Sequence, residues 1–235
     1  MRPRVLRLIS APIFRENGVM SNFRPIFHDR RDAGKKLGQL LLAYAGKPDI
    51  LVLALPRGGV PVAYEVALAL NAPLSIFEVR KLGVPGHKEL AMGAIASGGM
   101  TLLNEDIIAT QNVSREELLY TLAKEQRELE RLERAYGDGQ HSKVTEKTVI
   151  LVDDGLATGA SMLVAIAALR LRRPAELIVA VPVATSQICR SLRKEADDVI
   201  CYLSTGAIDG ISAWYEDFRQ LTDNDVRSLL RRAAE

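Results

Sequence analysis

The sequence predicts an α/β fold: a doubly wound, mostly parallel sheet flanked by helices, with an insertion made of a β-hairpin and a long helix. Two continuous apolar runs, residues 50–55 and 148–152, have the composition of strands that are buried on both faces. Each run ends in a loop of small residues and is followed by an apolar helical segment. Strands that alternate with helices in this way indicate a parallel sheet with right-handed crossovers.

An amphipathic helix is predicted ahead of the first of these strands. Residues 28–45 repeat apolar side chains at helical spacing, and Gly46 suits the end of that helix. After the strand 50–55, a helix is predicted over 62–70. Pro61 fits its first turn, because the missing N–H of proline costs nothing there.

The middle of the chain predicts a strand, a loop and a hairpin. Residues 74–79 form an apolar strand that leads into 80–89, a polar segment with Gly and Pro that is typical of a loop. The runs 92–96 and 100–103 flank a Ser-Gly-Gly turn and therefore predict a β-hairpin.

A long charged helix is predicted over 114–136. Ser114 and Glu117 form a capping box at its start, and a leucine stripe runs along one face. Such a stripe also suits a coiled coil, but it is short and Glu125 interrupts it. We therefore expect this helix to pack on the sheet or on a dimer mate.

The last part of the chain returns to alternating elements. Strands are predicted over 177–183 and 199–203, with a helix over 185–195 between them and a final amphipathic helix that begins at Thr222.

The two ends of the chain fall outside this pattern. Residues 1–20 show no clear periodicity, and Met20 stands just before the first strongly patterned segment. We expect residues 1–20 to form a disordered leader and residues 21–235 to form a single domain. Within that domain, residues 204–235 lie outside the predicted sheet and are named here the C-terminal segment.

The most informative motif runs from residue 148 to residue 161. An apolar strand stops at two adjacent carboxylates, Asp153 and Asp154, and continues through a loop of small residues into a helix. The backbone N–H groups of such a loop and of the helix N-terminus bind phosphate, and small side chains let the backbone approach it closely. The acidic pair suits a ligand that also offers vicinal hydroxyls or a hard cation, such as a ribose 5-phosphate with Mg²⁺.

This motif resembles the 5-phosphoribosyl-1-pyrophosphate (PRPP) loop of the type I phosphoribosyltransferases. The resemblance implies that Asp153 and Asp154 hold the ribose 2′- and 3′-hydroxyls. Gly155, at the loop entry, stands where the family usually has an aliphatic residue, which should loosen the entry without removing a phosphate donor. The resemblance further implies that the 5′-phosphate is held by the following loop residues: Ala157, Thr158, Gly159, Ala160 and Ser161.

The turn after the first strand, Pro56-Arg57-Gly58-Gly59, resembles a second loop of the same family, which binds pyrophosphate. The resemblance implies that Arg57 lies near the leaving diphosphate and acts in catalysis. Gly58 and Gly59 would bind the diphosphate and permit an unusual backbone conformation. A Gly-Gly turn after a strand is common and by itself does not indicate this family. The motif supports the resemblance because it precedes the acidic pair, in the same order as in the family.

Residues 80–89 resemble the mobile loop of the family, which closes over the reaction and excludes water. Arg80 and Lys81 are its candidate catalytic cations. For either side chain, a solvated surface charge is the simpler alternative, and the sequence leaves that alternative open.

Three aromatic residues, Trp214, Tyr215 and Phe218, cluster near the end of a chain in which aromatics make up 5% of the residues. They are candidates for stacking on the acceptor base. In the family a variable hood selects the base, and both ends of this chain are candidates for that hood. The alternative, that the cluster caps a small core, stays open.

The resemblance implies transfer of the phosphoribosyl group of PRPP to a nitrogenous base or amine, with release of diphosphate. Mg²⁺ is the expected cofactor, bound mainly through PRPP, with Asp153 and Asp154 as its candidate protein contacts. A non-catalytic PRPP- or nucleotide-sensing regulator on the same fold is the alternative. PRPP synthesis is disfavoured, because the chain is short for it and shows no separate ATP-binding segment.

Composition limits the classes of binding partner that the sequence supports. The formal charge of +2 is too small to indicate binding to nucleic acid or to a membrane, and no apolar run reaches transmembrane length. Cys189 and Cys201 lack the spacing of a metal site and fit packing residues in a reducing cytoplasm. We therefore expect a cytoplasmic homodimer whose partners are PRPP and a small-molecule acceptor.

Overall fold

The computed structural model describes residues 9–10, 25–136, 144–208 and 210–235. Strands and helices alternate over most of this length. The strands are β1 (Ile9–Ser10), β2 (Ile50–Ala54), β3 (Leu74–Ile76), β4 (Val79–Val84), β5 (His87–Ala96), β6 (Met100–Leu103), β7 (Thr148–Val152), β8 (Glu176–Thr185) and β9 (Asp198–Thr205). The α-helices are α1 (Arg30–Leu40), α2 (Gly59–Leu70), α3 (Glu105–Thr110), α4 (Arg115–Ala135), α5 (Ala160–Leu171), α6 (Ser186–Leu192) and α7 (Asp223–Ala233), and 3-10 turns lie at Leu42–Tyr44 and Ile211–Trp214.

The central sheet is parallel and has the strand order β1-β9-β8-β7-β2-β3. Each of its two faces is buried in an apolar cluster. Alternate residues of β2 and β7 divide between the clusters, so that Leu53 and Leu151 face α5 and α6 while Val52 and Ile150 face α1 and α2. This division explains why both strands are continuous apolar runs, and it confirms the predicted doubly wound α/β fold.

The segment 80–89, predicted as a loop, is instead a strand–turn–strand unit. β4 and β5 pair antiparallel around a tight turn in which Gly86 has φ +79°. A register shift at Gly83 keeps the strands paired on either side of an irregularity. The prediction was wrong because the Gly and Pro residues that indicated a loop form this irregularity and the turn.

The predicted hairpin at 92–96 and 100–103 is confirmed as β5 and β6, and β4 pairs with β5 to complete a separate antiparallel sheet with the order β4-β5-β6. The capping box at Ser114 and Glu117 is also confirmed. Leu129 of α4 packs on this small sheet, which agrees with packing on a sheet. The helix α3 was not predicted. Asn104 caps it, but its 6 residues are too few to show a helical repeat of apolar side chains.

Other expectations concern the chain ends and the cysteines. The final helix, predicted to begin at Thr222, begins at Asp223, and Thr222 is its N-cap in a capping box. Cys189 and Cys201 are buried in the core. Of the predicted leader 1–20, all but residues 9–10 lies outside the described residues, and those two pair with β9. Among the helices that the structure describes, none has the length and hydropathy needed to cross a membrane.

Glu78, between β3 and β4, is a buried acid with an unsatisfied oxygen. Its Oε2 atom is buried and has no hydrogen-bond partner, and the residue is 8% exposed. Burial raises the pKa of Glu78 to about 7, with Arg80 and Arg131 acting in the opposite direction and Glu128 and Glu133 reinforcing the rise. At pH values between 4.5 and about 7, the native state therefore keeps the Glu78 carboxyl protonated, whereas an exposed glutamate would be ionised.

We expect Glu78 to make the protein less stable as the pH rises. The pKa of the group is raised from 4.5 to about 7, so the native state binds more protons than the unfolded state between these values, and stability falls across that window. At about 1.4 kcal/mol per pKa unit, the loss is on the order of 3 kcal/mol. Urea unfolding of Glu78→Gln from pH 4.5 to 8 should show a progressive gain over the wild type.

The exposed Glu116 on α4 supplies the control. Glu116→Gln removes an exposed carboxylate from the first turn of α4, so its effect on stability should be small beside that of Glu78→Gln. A constant difference between Glu78→Gln and the wild type across the pH range would contradict the raised pKa.

Candidate functional site

The two loops singled out by the sequence lie side by side at one edge of the sheet. β2 pairs with β7 so that Ala54 lies opposite Val152, the last residue of each strand. The Leu55 N–H donates to the carbonyl of Val152 at 2.9 Å. The 56–61 loop and the 153–161 loop therefore both begin at the carboxyl edge, where parallel sheets bind their ligands.

The acidic pair is held by its own backbone and by a cation. The Asp154 N–H donates to Oδ1 of Asp153 at 2.8 Å, and Oδ2 of Asp154 accepts from Nε of Arg30 at 2.8 Å. Burial raises the pKa of Asp153 well above its usual range, and the Asp154 carboxylate raises it further. Burial also raises the pKa of Asp154, while the Arg30 guanidinium opposes that rise.

The 56–61 loop has no room for a side chain at Gly58 or Gly59. A Cβ at Gly58 would lie 2.6 Å from Cγ of Asp154, and a Cβ at Gly59 would lie 2.7 Å from the carbonyl oxygen of Val152. Gly58 itself has helical torsions, φ −59° and ψ −39°. Its expected role in permitting an unusual backbone is therefore corrected to one of close approach. The backbone irregularity of the loop is the cis peptide bond between Pro56 and Arg57.

Gly155 does not loosen the entry of its loop. It is buried with φ +155°, and a Cβ there would lie 2.8 Å from Ile211 and 3.0 Å from Val183. The next residue, Leu156, donates its N–H to the carbonyl of Val183 at 2.9 Å. Ile211 of the C-terminal segment thus fills the space beside the glycine, and the expectation of a loose entry is wrong.

The rest of the 153–161 loop is open to a ligand. Gly159 is the N-cap of α5 with φ +72°, and it contributes no side-chain cap. Thr158 Oγ1 accepts from the Ala160 N–H at 3.4 Å. The predicted phosphate-binding residues on either side of the glycine are exposed: Ala157, Thr158, Ala160 and Ser161. A helix N-terminus with accessible N–H groups is a favourable place for an anion.

Arg57 is half exposed and lies close to a carboxylate of α7. Its Nη1 atom is 3.8 Å from Oδ1 of Asp223, and its side chain is 51% exposed. Asp223 also accepts from the Tyr136 hydroxyl at 3.0 Å and lies 3.5 Å from Nη1 of Arg131. The contact of Arg57 is longer than a hydrogen bond, so its guanidinium keeps donors available for an anionic ligand.

Arg80 and Lys81 lie in β4 and are engaged elsewhere. Arg80 donates to Oε2 of Glu125 on α4 through Nε and Nη2, at 3.0 and 2.7 Å. Lys81 donates to the carbonyl of Glu89 at 3.4 Å. Both residues line a cavity of about 730 Å³ between β4 and α4. Among the described contacts, none joins them to the 153–161 loop.

The aromatic cluster of the C-terminal segment packs beneath the acidic pair. Trp214 and Tyr215 are buried, with exposures of 5% and 4%, in a small apolar cluster. The Tyr215 hydroxyl donates to the carbonyl of Asp154 at 2.6 Å. The Phe218 ring lies 5.0 Å from that of Tyr215 and 3.7 Å below the Arg30 guanidinium. The cluster therefore contributes to the site as a support, and its base-binding role stays a prediction.

Arg30 is the site residue that sequence reasoning missed. It begins α1, and it falls at helical spacing with Ala33 and Leu37, which are fully buried. A charged residue in register with an apolar stripe was the available signal, because such a residue must find a partner when the helix packs.

Comparison with known proteins agrees with this geometry. The profile of the phosphoribosyl transferase domain matches residues 27–215. Rv0571c of Mycobacterium tuberculosis H37Rv, provisionally assigned as a phosphoribosyl transferase, is 37% identical over 209 residues, which are 88% of this chain and 47% of that protein. The chain thus spans about half the length of the curated relatives it matches.

A solved structure shows the same fold. The protein TT1426 from Thermus thermophilus superposes with a TM-score of 0.76 and 36% identity, covering 88% of this chain and 98% of that chain. The domain profile matches most of this chain, and the likeness to TT1426 agrees with it. The chain therefore belongs to the type I phosphoribosyltransferase family.

Proposed function

We propose that the protein transfers the 5-phosphoribosyl group of PRPP to a nitrogenous base or amine and releases diphosphate. The observation that carries this proposal is the adjacency of the 56–61 loop and the 153–161 loop across the paired strands β2 and β7. In the reaction the bond from C1′ to the diphosphate oxygen breaks, a bond from C1′ to the acceptor nitrogen forms, and the acceptor loses a proton. Such a reaction needs positioning and charge stabilisation more than covalent help from the protein.

The residues divide between the two halves of PRPP. Asp153 and Asp154 are proposed to accept hydrogen bonds from the ribose hydroxyls, and the exposed N–H groups of the 153–161 loop to hold the 5′-phosphate. Arg57 is proposed to bind the leaving diphosphate, because its half-exposed guanidinium stands at the head of the neighbouring loop. Arg80 would join the reaction only after release from Glu125.

Mg²⁺ is proposed as the cofactor, and when bound it neutralises charge on the diphosphate. The donor set fits this ion, since Asp153 and Asp154 offer hard oxygen ligands. Within the described ranges, no group of three or more His, Cys, Asp or Glu side chains could hold a metal. Asp153 and Asp154 therefore suit an ion that enters with the phosphates of the substrate.

A non-catalytic PRPP sensor is the second candidate. The observation that favours it is the ion pair between Arg80 and Glu125, which engages one proposed catalytic cation away from the two loops. A sensor would bind PRPP as tightly as an enzyme but would release no diphosphate with any acceptor. A screen of bases and amines with PRPP and Mg²⁺ for diphosphate release separates the two functions.

Replacement of both aspartates by Asn should weaken PRPP binding at least tenfold. Each aspartate loses an ionic hydrogen-bond acceptor, which costs about 1.5–3 kcal/mol. Titration calorimetry with PRPP and Mg²⁺ measures the change, and Asp106→Asn on the exposed surface of α3 is the matched control. Equal PRPP affinity in the Asp153/Asp154 double variant and the wild type would refute the assignment.

Arg57→Ala should depress turnover more than it depresses binding of ribose 5-phosphate, because the guanidinium is proposed to contact only the diphosphate. Steady-state kinetics and calorimetry with ribose 5-phosphate and diphosphate test this, with the exposed Arg115→Ala as control. If ribose 5-phosphate and diphosphate binding fall equally, the role of Arg57 is structural.

Gly58→Ala should displace the Asp154 carboxylate, because the new methyl group would lie 2.6 Å from Cγ of that side chain. Overpacking of this kind costs about 1–3 kcal/mol. We expect weaker PRPP binding and a lower melting temperature. Gly206→Ala is the control, since a Cβ there meets nothing within 4 Å. A lowered melting temperature with unchanged PRPP affinity in Gly58→Ala would show that the displaced carboxylate is not part of the binding site.

A further inference from the structure

We propose that Arg30 is a positioning residue for ribose-phosphate binding, which fixes the Asp154 carboxylate against the 56–61 loop and offsets part of the negative charge of the acidic pair. This inference rests on the proposed function, because it gives Asp154 a role in holding the ribose. It assigns to α1 and the C-terminal segment a direct part in shaping the site.

The Arg30 guanidinium is held on its edge and on its face. Nε donates to Oδ2 of Asp154 at 2.8 Å, and Nη1 donates to the carbonyl of Arg219 at 3.0 Å. Its Cζ atom lies 3.7 Å from the centroid of the Phe218 ring. The side chain of Arg30 is only 10% exposed. A planar, delocalised cation matches this set of partners, whereas the ammonium of lysine would satisfy fewer of them.

The Asp154 residue is in turn held from several directions. Arg30 binds its carboxylate, and the Tyr215 hydroxyl donates to its carbonyl at 2.6 Å. On the other side, the absence of a Cβ at Gly58 leaves room for the carboxylate to lie on the 56–61 loop. Because Phe218 lies under Arg30 and against Tyr215, one segment supports both contacts. A binding group held in this way is preorganised for its ligand.

The positive charge of Arg30 is the second reason to assign it a role in ligand binding. A site for a phosphorylated sugar must admit an anion, and two adjacent, partly buried carboxylates would repel it. In the part of the chain that the structure describes, the ion-pair partner of this acidic pair is Arg30. Pairing with Asp154 reduces the negative charge that an incoming phosphate meets while leaving the carboxylate in place.

Binding of ribose 5-phosphate and PRPP to the full chain tests the inference in a double-mutant cycle. Arg30→Met should weaken both ligands at least tenfold, since it removes a buried ionic hydrogen bond from the binding carboxylate. In the Asp154→Asn background the same change should cost less than about threefold, because the group that Arg30 positions is already altered. Arg30→Lys should fall between Arg30→Met and the wild type.

Arg31 offers a matched control from the next residue of α1. Its Nε donates to Oε1 of Glu65 at 2.7 Å, and Glu65 is buried on α2, so Arg31→Met also removes an ion pair of a buried acid. We expect Arg31→Met to lower the melting temperature with ligand affinities within about twofold of the wild type, because the described hydrogen bond and ion pair of Arg31 go to Glu65 and not to a residue of the acidic pair.

Each outcome decides the matter. Tenfold weaker binding in Arg30→Met that vanishes in the Asp154→Asn background supports the positioning role. An equal loss in both backgrounds, or an equal loss in Arg30→Met and Arg31→Met, shows a general structural effect and overturns it. If the wild type binds both ligands and Arg30→Met binds them equally well, the role of Arg30 alone is refuted. A wild-type protein that binds neither ligand refutes the proposed function and this role together.

Discussion

The parallel pairing of β2 with β7 is the constraint on which the rest of the site depends. With Ala54 opposite Val152, the two strands end at the same level, and the loops that follow cannot separate. Space between them is so limited that Gly58 and Gly59 lie directly against Asp154 and against the end of β7. The register is continuous from Ile50 opposite Thr148 to Ala54 opposite Val152. The pairing of two buried strands thus places polar groups that are not part of the core.

Much of this arrangement could be predicted, because it depends on local composition. The buried strands β2 and β7 and the capping box at Ser114 are each decided by neighbouring residues, and they are found as predicted. The segment 80–89 could not be read in this way, since its Gly and Pro residues are compatible with either a loop or an irregular hairpin, and pairing with β5 decides between them. Arg30 was missed for a related reason. Its partner, Asp154, is distant in the chain, and only the packing of α1 brings the two together.

Electrostatics explains why the site needs residues outside its two loops. Adjacent carboxylates at a buried sheet edge resist ionisation, yet an acidic pair that accepts ribose hydroxyls works best when charged. The N-terminus of α5 supplies partial positive charge for a phosphate but no counterion for the acids. A cation from another element must therefore approach the pair. Arg30 meets this need at low exposure, and it is itself held by a carbonyl and an aromatic ring.

The two loops also share a dependence on residues beyond the part of the chain that the family profile matches, 27–215. Asp154 is supported through Arg30 by Phe218 and Arg219, and Arg57 lies beside Asp223 at the start of α7. The two loops and the acidic pair lie within the matched residues, whereas the side chain of Phe218, the carbonyl of Arg219 and the carboxylate of Asp223 that contact Arg30 and Arg57 come after residue 215. A change in the C-terminal segment would therefore alter the support of Asp154 and the surroundings of Arg57 without any change in the sequence of the loops themselves.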